Sequence, residues 1–530
     1  METYTAVVLS LLVFVPLVGV AVISFIPREN ENTIKAMTLA FSSLVFLSSI
    51  PMYFLYDVTN PDMQFAYKAN WIPNWGAYYN IGVDGLSLLL ILLTTFIMPL
   101  AVVASWKSVH FHVKGFMISL LLLDAGMVGV FCARDMLLFY VFWEAMLVPM
   151  YLIIGIWGHE QRIRAAVTFF IYTMAGSLFM LVAIIYMYFQ TAPVIIDGNL
   201  ISNHNFSIEA FMALQLPYDT QVYLFWAFAL AFMVKVPMFP FHTWLPLAHV
   251  EAPTAGSVDL AAILLKMGPY GFMRFCISFF PAVSEQFTPV IIVLALIGII
   301  YGALVAMVQP DAKKLIAYSS VSHLGFVMLG IYSMNIQSWQ GAMVIMVGHG
   351  ISTSALFLMV GLLYDRRHTR LIDEFGGLWK VIPAFSVVFM VVCLSSLGLP
   401  GTNGFVGEFL VLIGAFNSTV EHAQIYATIA MLGVILGAVY LLWMYQRVAF
   451  GEIKNEKNKS LKDLSLREYA LLVPFILLIF WFGVYPKSLT DKTEATMQKN
   501  LKSYRSAVEQ AKTKSAEAEK NKNVLNLQVK

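Results

Sequence analysis

Charge is scarce in this sequence: 12% of its 530 residues are Asp, Glu, Lys or Arg, against about 25% in ordinary soluble domains, and 59% are hydrophobic. Such a composition excludes a conventional water-covered globule. Cysteine is scarcer still. Cys132, Cys276 and Cys393 lie far apart inside apolar runs, which offers neither a disulfide framework nor the ligand spacing of a zinc or iron–sulfur site. Redox chemistry is therefore expected elsewhere than in this chain. The net charge of +2 lacks the excess of one sign that a nucleic-acid partner would require. The first apolar run, "TAVVLSLLVFVPLVGVAVISFI", has no basic residue before it and no small-residue cleavage pattern after it, so it is read as an uncleaved span.

What the sequence has is apolar runs of roughly 20 residues, each long enough at about 1.5 Å per residue to cross a hydrocarbon core of about 30 Å. Backbone groups in lipid must be satisfied within their own segment, so the runs are expected to be helices. The reading is an all-α polytopic membrane protein with about 14 transmembrane helices, starting near residues 5, 34, 84, 113, 136, 165, 221, 258, 288, 314, 342, 381, 424 and 467. Basic residues then set an orientation. Odd-numbered connections hold most of them, from Arg28 and Lys35 through Lys313 and Lys314 to Lys462 and Arg467, whereas even-numbered ones hold Lys68, Arg134 and Arg274. The odd connections should face the cytoplasm and both termini the other side. The tail beyond Lys487, rich in Lys, Glu, Ala and Ser, reads as a surface helix with a frayed end.

Several ionisable residues fall inside the runs. A lysine or carboxylate at helix centre costs at least about 2.5 to 3.5 kcal/mol on insertion scales, so each marks a polar route or a partner. Glu144 sits in "RDMLLFYVFWEAMLVPMYLIIGIWG", about 12 Å along the fifth span. Lys235 is deep in the seventh, in "AFALAFMVKVPMFPFHTWLPLAHVEAP", where Pro237 and Pro240 remove backbone donors and break the helix. Lys266 lies in the eighth span with Asp259 on roughly the same face. His323 and His349 occupy the tenth and eleventh spans among small hydroxyl residues. Glu408 follows "LSSLGLPGTNGFVGEF", where Pro400, Gly401, Asn403 and Gly404 interrupt the twelfth. Asp124 stands alone in the fourth span, and His242 and His249 lie near a cytoplasmic mouth. Structural ion pairs, packed neutral histidines and interfacial positions are the plain alternatives for these groups.

The arrangement recurs. An ionisable residue in span five precedes a broken span seven carrying another, and the same holds for spans ten and twelve. Five spans per unit would invert the second copy relative to the first, a transporter architecture of two inverted five-helix repeats containing broken helices. A row of spaced titratable groups suits proton hopping. A potential of about 150 mV adds about 3.5 kcal/mol per charge moved, a load that a buried pair such as Glu144 and Lys235 is suited to meet.

Five stretches, "VFWEAMLVPMY", "VKVPMFPFHTWLPLAHVEAPT", "LLKMGPYG", "KKLIAYSSVSHLGF" and "LGLPGTNGFVGEF", make the chain resemble the antiporter-like subunits of proton-pumping NADH:quinone oxidoreductase, respiratory complex I, and their relatives in multisubunit cation/proton antiporters. The resemblance extends to about residue 486. Glu408 points to the M-type branch, since L-type, N-type and antiporter relatives generally carry lysine there. The resemblance implies helices 1–3 over residues 1–112, a first repeat over 113–280, a second over 281–450, a cytoplasmic loop and helix 14 over 451–486, and a charged tail over 487–530. It implies a proton relay in which Glu144 partners the pump lysine Lys235, Lys266 connects, His323 and His349 relay, and Glu408 is the terminal site. Asp124, Asp259, His242 and His249 are secondary candidates.

The resemblance further implies that NADH, FMN, iron–sulfur clusters and quinone belong to partner subunits, with no cofactor or metal in this chain, and that L-type and N-type neighbours flank it. The expected setting is an energy-coupling bilayer, the inner membrane of a bacterium, and the expected class is translocase. The rival readings are a subunit of a sodium/proton antiporter complex, a bis-histidine haem subunit using His323 and His349, and an inert scaffold.

Overall fold

The computed structural model describes residues 2–196 and 199–528. Its order begins with α1 (Glu2–Phe25) and α2 (Glu31–Leu55), followed by a hairpin of β1 (Gln64–Ile72) and β2 (Ala77–Val83). Then come α3 (Leu88–Ser105), α4 (Val113–Cys132), α5 (Met136–Ala145), α6 (Leu147–Trp157) and α7 (Arg162–Phe189). A small ribbon, β3 (Val194–Ile196) and β4 (Asn199–Ser202), and α8 (Ile208–Met212) lead to α9 (Tyr218–Lys235) and α10 (Trp244–Glu251). The next stretch is α11 (Thr254–Ala262), α12 (Met267–Gly271), α13 (Ile277–Phe279), α14 (Pro281–Met307), α15 (Ala312–Tyr332) and α16 (Ile336–Arg367). The chain closes with α17 (Leu378–Val381), α18 (Pro383–Ser396), α19 (Asn403–Phe416), α20 (Ala423–Ala449), α21 (Leu466–Val484) and α22 (Lys487–Gln528).

Twelve segments among the described residues are long and apolar enough to cross a membrane. The two broken stretches, α9/α10 and α18/α19, lie between them in the chain. Side chains define several helix starts. Asp135 accepts from the backbone of Leu137 and Leu138, Asp311 from Lys313 and Lys314, and Ser465 with Glu468 forms a capping box.

Burial grades inward. α16 and the segment Thr254–Phe279 are buried throughout their most apolar stretch, whereas α2 and α21 present much of theirs outward. The innermost helices are therefore the ones that carry Asp259, Lys266 and His349.

Loops gather on two faces. On one, which we call the basic face, Lys35 donates to the Trp106 carbonyl at 2.9 Å, Arg370 pairs with Asp311 at 3.2 Å, and Arg366 pairs with Glu468 at 2.8 Å. The other, the hairpin face, carries β1–β2, β3–β4 and α22. Neither hairpin was anticipated from hydropathy. α22 lies along this face, burying Leu489, Met497, Leu501, Tyr504 and Val508 at helical spacing. The Tyr504 hydroxyl donates to Glu285 at 2.5 Å. The expected fraying of the tail falls partly on residues 529 and 530, outside the described residues.

Two expectations need correction. Arg274, assigned to a loop, lies in the helical segment Phe272–Cys276 and is buried, donating to the two Asp84 oxygens at 2.7 and 2.5 Å. Lys313, also assigned to a loop, is buried in the first turn of α15 and donates to the Ala252 carbonyl at 2.5 Å. The fifth span, Met136–Trp157, is one apolar segment with a turn at Met146, two residues after Glu144. Pro149 explains this, because its missing N–H leaves the carbonyl of Ala145 without an intrahelical partner.

Candidate functional site

The breaks put polar groups where helices alone would not. α9 ends at Lys235, and the indole of Trp244 donates to the Val234 carbonyl at 3.0 Å, satisfying one of the freed acceptors. Gly268 and Gly271 bring the next segment hard against this end, since a Cβ at Gly271 would stand 2.4 Å from the Phe232 ring. Pro269 then interrupts the eighth span around Lys266, which adopts a short 3-10 turn over Leu264–Lys266.

In the other broken span, Gly398 and Gly401 take left-handed φ values of 83° and 92°. A Cβ at Gly398 would lie 3.0 Å from Glu408 Oε2, so glycine there lets the carboxylate approach the break. Asn403, read from sequence only as a helix breaker, also ties the break to the centre. It donates to the Gly348 carbonyl at 3.0 Å and accepts from Ser395 at 2.5 Å.

Four of the expected residues lie in a row. Lys266 Nζ lies 2.7 Å from His349 Nδ1 and also donates to the Ala261 carbonyl. The rings of His349 and His323 are 5.6 Å apart between centroids, and His323 Nδ1 is 3.0 Å from Glu408 Oε1. A cavity of about 20 Å³, lined by both histidines, Ser352, Ser396 and Glu408, adjoins the line. That volume accommodates about one water molecule. It leaves no room for a haem macrocycle between the two rings.

The remaining candidates are disposed differently. Among the described residues Lys235 Nζ has no hydrogen-bond partner, and it stands 5.1 Å from the Trp143 ring centroid and 5.9 Å from that of Phe169. Glu144, half-buried, is the carboxylate whose field reaches it, although among the described residues no direct ion pair joins the two. Asp124 and Asp259 are fully buried, within each other's field, and all four of their oxygens lack partners. His242 and His249, placed near a mouth by sequence, are likewise buried, and His249 stacks on Phe357 at 4.6 Å.

Sequence reasoning missed Lys313. The charges of both Lys313 and Lys266 act on His249. Beyond Lys313, on the basic face, a polar cavity of about 820 Å³ is lined by His159, Glu251, Asp311, Tyr364 and Arg370 among others. Burial, Lys313 and Arg370 together push His159, in the connection between α6 and α7, down to about 4. No local feature marked Lys313, since Asp311 caps the backbone of Lys313 and Lys314 alike.

Broken helices that hold buried ionisable groups in line place this chain in the class of antiporter-like membrane proteins. Comparison is specific about which. The family described as "NADH:quinone oxidoreductase/Mrp antiporter, TM" matches residues 133–434. NADH-quinone oxidoreductase subunit M of Rhodobacter capsulatus is 45% identical over 495 residues, covering 91% of this chain and 94% of that one. A chain of respiratory complex I from Thermus thermophilus superposes with a TM-score of 0.81 at 31% identity, covering 93% and 99% of the two chains. A chain of the Mrp complex from Dietzia superposes at 0.76 with 18% identity and shares the fold. The chain belongs to the antiporter-like membrane subunits of NADH:quinone oxidoreductase, in the subunit M branch.

Proposed function

We propose that the chain moves protons across the membrane through its buried Glu, Lys and His residues, coupled to quinone reduction performed by other subunits of a complex I type enzyme, an assignment to the translocase class. The observation that carries this reading is the row from Lys266 through His349 and His323 to Glu408, with direct contacts at both ends and the two imidazole rings adjacent at its centre. Donor and acceptor atoms at 2.7 to 3.0 Å at the two ends, with a water-sized cavity lined by both histidines, give a proton a short route.

The polar cavity on the basic face supplies the aqueous side, with Lys313 and His249 leading inward. Lys235 and Glu144 form the other ionisable centre, where a change of distance would load or release a charge. The two broken stretches complete about 14 crossings, arranged as repeats over 113–280 and 281–450 after helices over 1–112. Excess Lys and Arg supports a cytoplasmic basic face, with both termini outside a bacterial inner membrane. NADH, FMN, iron–sulfur clusters and quinone are assigned to partner subunits, and L-type and N-type subunits to its flanks.

The test is Glu144→Gln in the intact complex reconstituted in vesicles. Proton pumping and quinone reduction should fall together by about tenfold or more, a barrier change of about 1.4 kcal/mol. Wild-type values for both would overturn the role of Glu144.

A further inference from the structure

Between α2 and α21 a crevice of about 540 Å³ runs inward to α3 and α16. Its walls are apolar, with Phe46, Leu92, Phe96, Ile351, Leu477 and Phe482 prominent, and no charged side chain lines it. Along α3 it extends from Leu89 to Leu100, about 16 Å of helix, which is half of a hydrocarbon core of about 30 Å. The slot is therefore one leaflet deep.

Its mouth on the hairpin face is marked by Tyr53 and Leu489. Lys492, one turn beyond Leu489 on α22, holds its ammonium 4.6 Å over the Tyr53 ring and 5.9 Å over that of Tyr56, and makes no salt bridge among the described residues. Trp481 and Tyr485, both more than half exposed, stand at the same level, as aromatic side chains do at a membrane interface. An apolar slot one leaflet deep, an aromatic girdle and a fixed cation at headgroup height are three parts of one binding chemistry.

We propose that this crevice holds one acyl chain of an anionic phospholipid of the hairpin-face leaflet, with its phosphate paired to Lys492. An acyl chain carrying an anionic headgroup is the occupant that uses the apolar walls and the cation at the mouth together. Val347 and Ile351, on the floor of the slot, flank His349 in sequence on α16. A chain lying there packs against the helix that carries the relay histidine.

The experiment uses the intact complex in nanodiscs of phosphatidylcholine containing phosphatidylglycerol with a diazirine in its acyl chain. Discs are chased with excess unlabelled phosphatidylcholine vesicles before irradiation, and adducts are mapped by mass spectrometry. Adducts on residues 89–100 and 477–482 should survive the chase at several times the level on the open face of α7 around Phe179 and Val182. Lys492→Gln should lower the retained label at least threefold, Lys492→Arg should restore it, and Leu92→Trp should abolish it. Four results would each overturn the proposal: decay at the open-face rate, no response to Lys492→Gln, equal retention of a phosphatidylcholine probe, or displacement of the label by decylubiquinone. Reductase activity measured on the same discs shows that each variant is assembled, and Glu144→Gln, which tests the relay, should leave the labelling unchanged.

Discussion

Lys266, His349, His323 and Glu408 on one side, and Glu144, Lys235, Asp124 and Asp259 on the other, are similar sets of residues, each beside a broken helix. Their surroundings differ. In the first set two contacts are direct, Lys266 to His349 and His323 to Glu408, and the two histidine rings between them stand 5.6 Å apart. In the second, Lys235 Nζ faces the Trp143 ring, and among the described residues neither it nor the carboxyl oxygens of Asp124 and Asp259 have a hydrogen-bond partner. Buried polar groups are nearly always satisfied, so a cluster that the protein leaves unsatisfied is one that water or a changed conformation must complete. The comparison separates a conducting arrangement from one that waits.

The sharpest break of this contrast is at the end of the connected set. Glu408→Gln keeps the shape but removes the acid, and should lower coupled proton pumping more than tenfold, with Glu408→Asp retaining part of it; pumping in vesicles beside quinone reduction measures this. A Glu408→Gln complex that pumps normally would put the connected set among structural polar networks. Lys313→Met probes the link from the polar cavity to His249 and should lower pumping several-fold. If Lys313 serves only to satisfy the Ala252 carbonyl, turnover will stay within twofold of wild type and only thermal stability will fall.

The smallest expected effect concerns His159, at the edge of the polar cavity and outside both sets. Its native value near 4 lies below the unfolded value of about 6.5, so between those values the unfolded state binds more protons. Its contribution to stability is therefore lost as pH falls from about 6.5 toward 4 and is unchanged above. His159→Gln should raise the thermal midpoint relative to wild type at pH 5 but not at pH 7.5. Equal differences at the two pH values would contradict the assignment.

Much of this was legible in the letters, because hydrocarbon makes an ionisable residue conspicuous. Glu144, Lys235, Lys266, His323, His349 and Glu408 announce themselves by standing in apolar runs beside Pro or Gly. Their pairing does not, since His323 and Glu408 meet only when α15 and α19 pack. Lys313 was hidden by position: a Lys-Lys pair at the start of a span is ordinarily solvated, and the Asp311 cap holds the backbone of both residues alike. Arg274 was hidden by its partner, Asp84, which lies far back in the chain before α3. The hairpin was readable but overlooked. "QFAYKANWI" and "AYYNIGV" flank a Pro-Asn-Trp-Gly turn whose glycine takes a left-handed φ of 64°, a strand signal that an apolar-run search passes over.

The central claim, that direct contact between His323 and Glu408 carries protons, is tested most directly by a double-mutant cycle on the reconstituted complex. Pumping rates are measured for His323→Gln, Glu408→Gln and the double variant. Two members of one relay act as a unit, so the double variant should be no slower than the slower single one. Losses that multiply, each substitution acting independently of the other, would contradict the account.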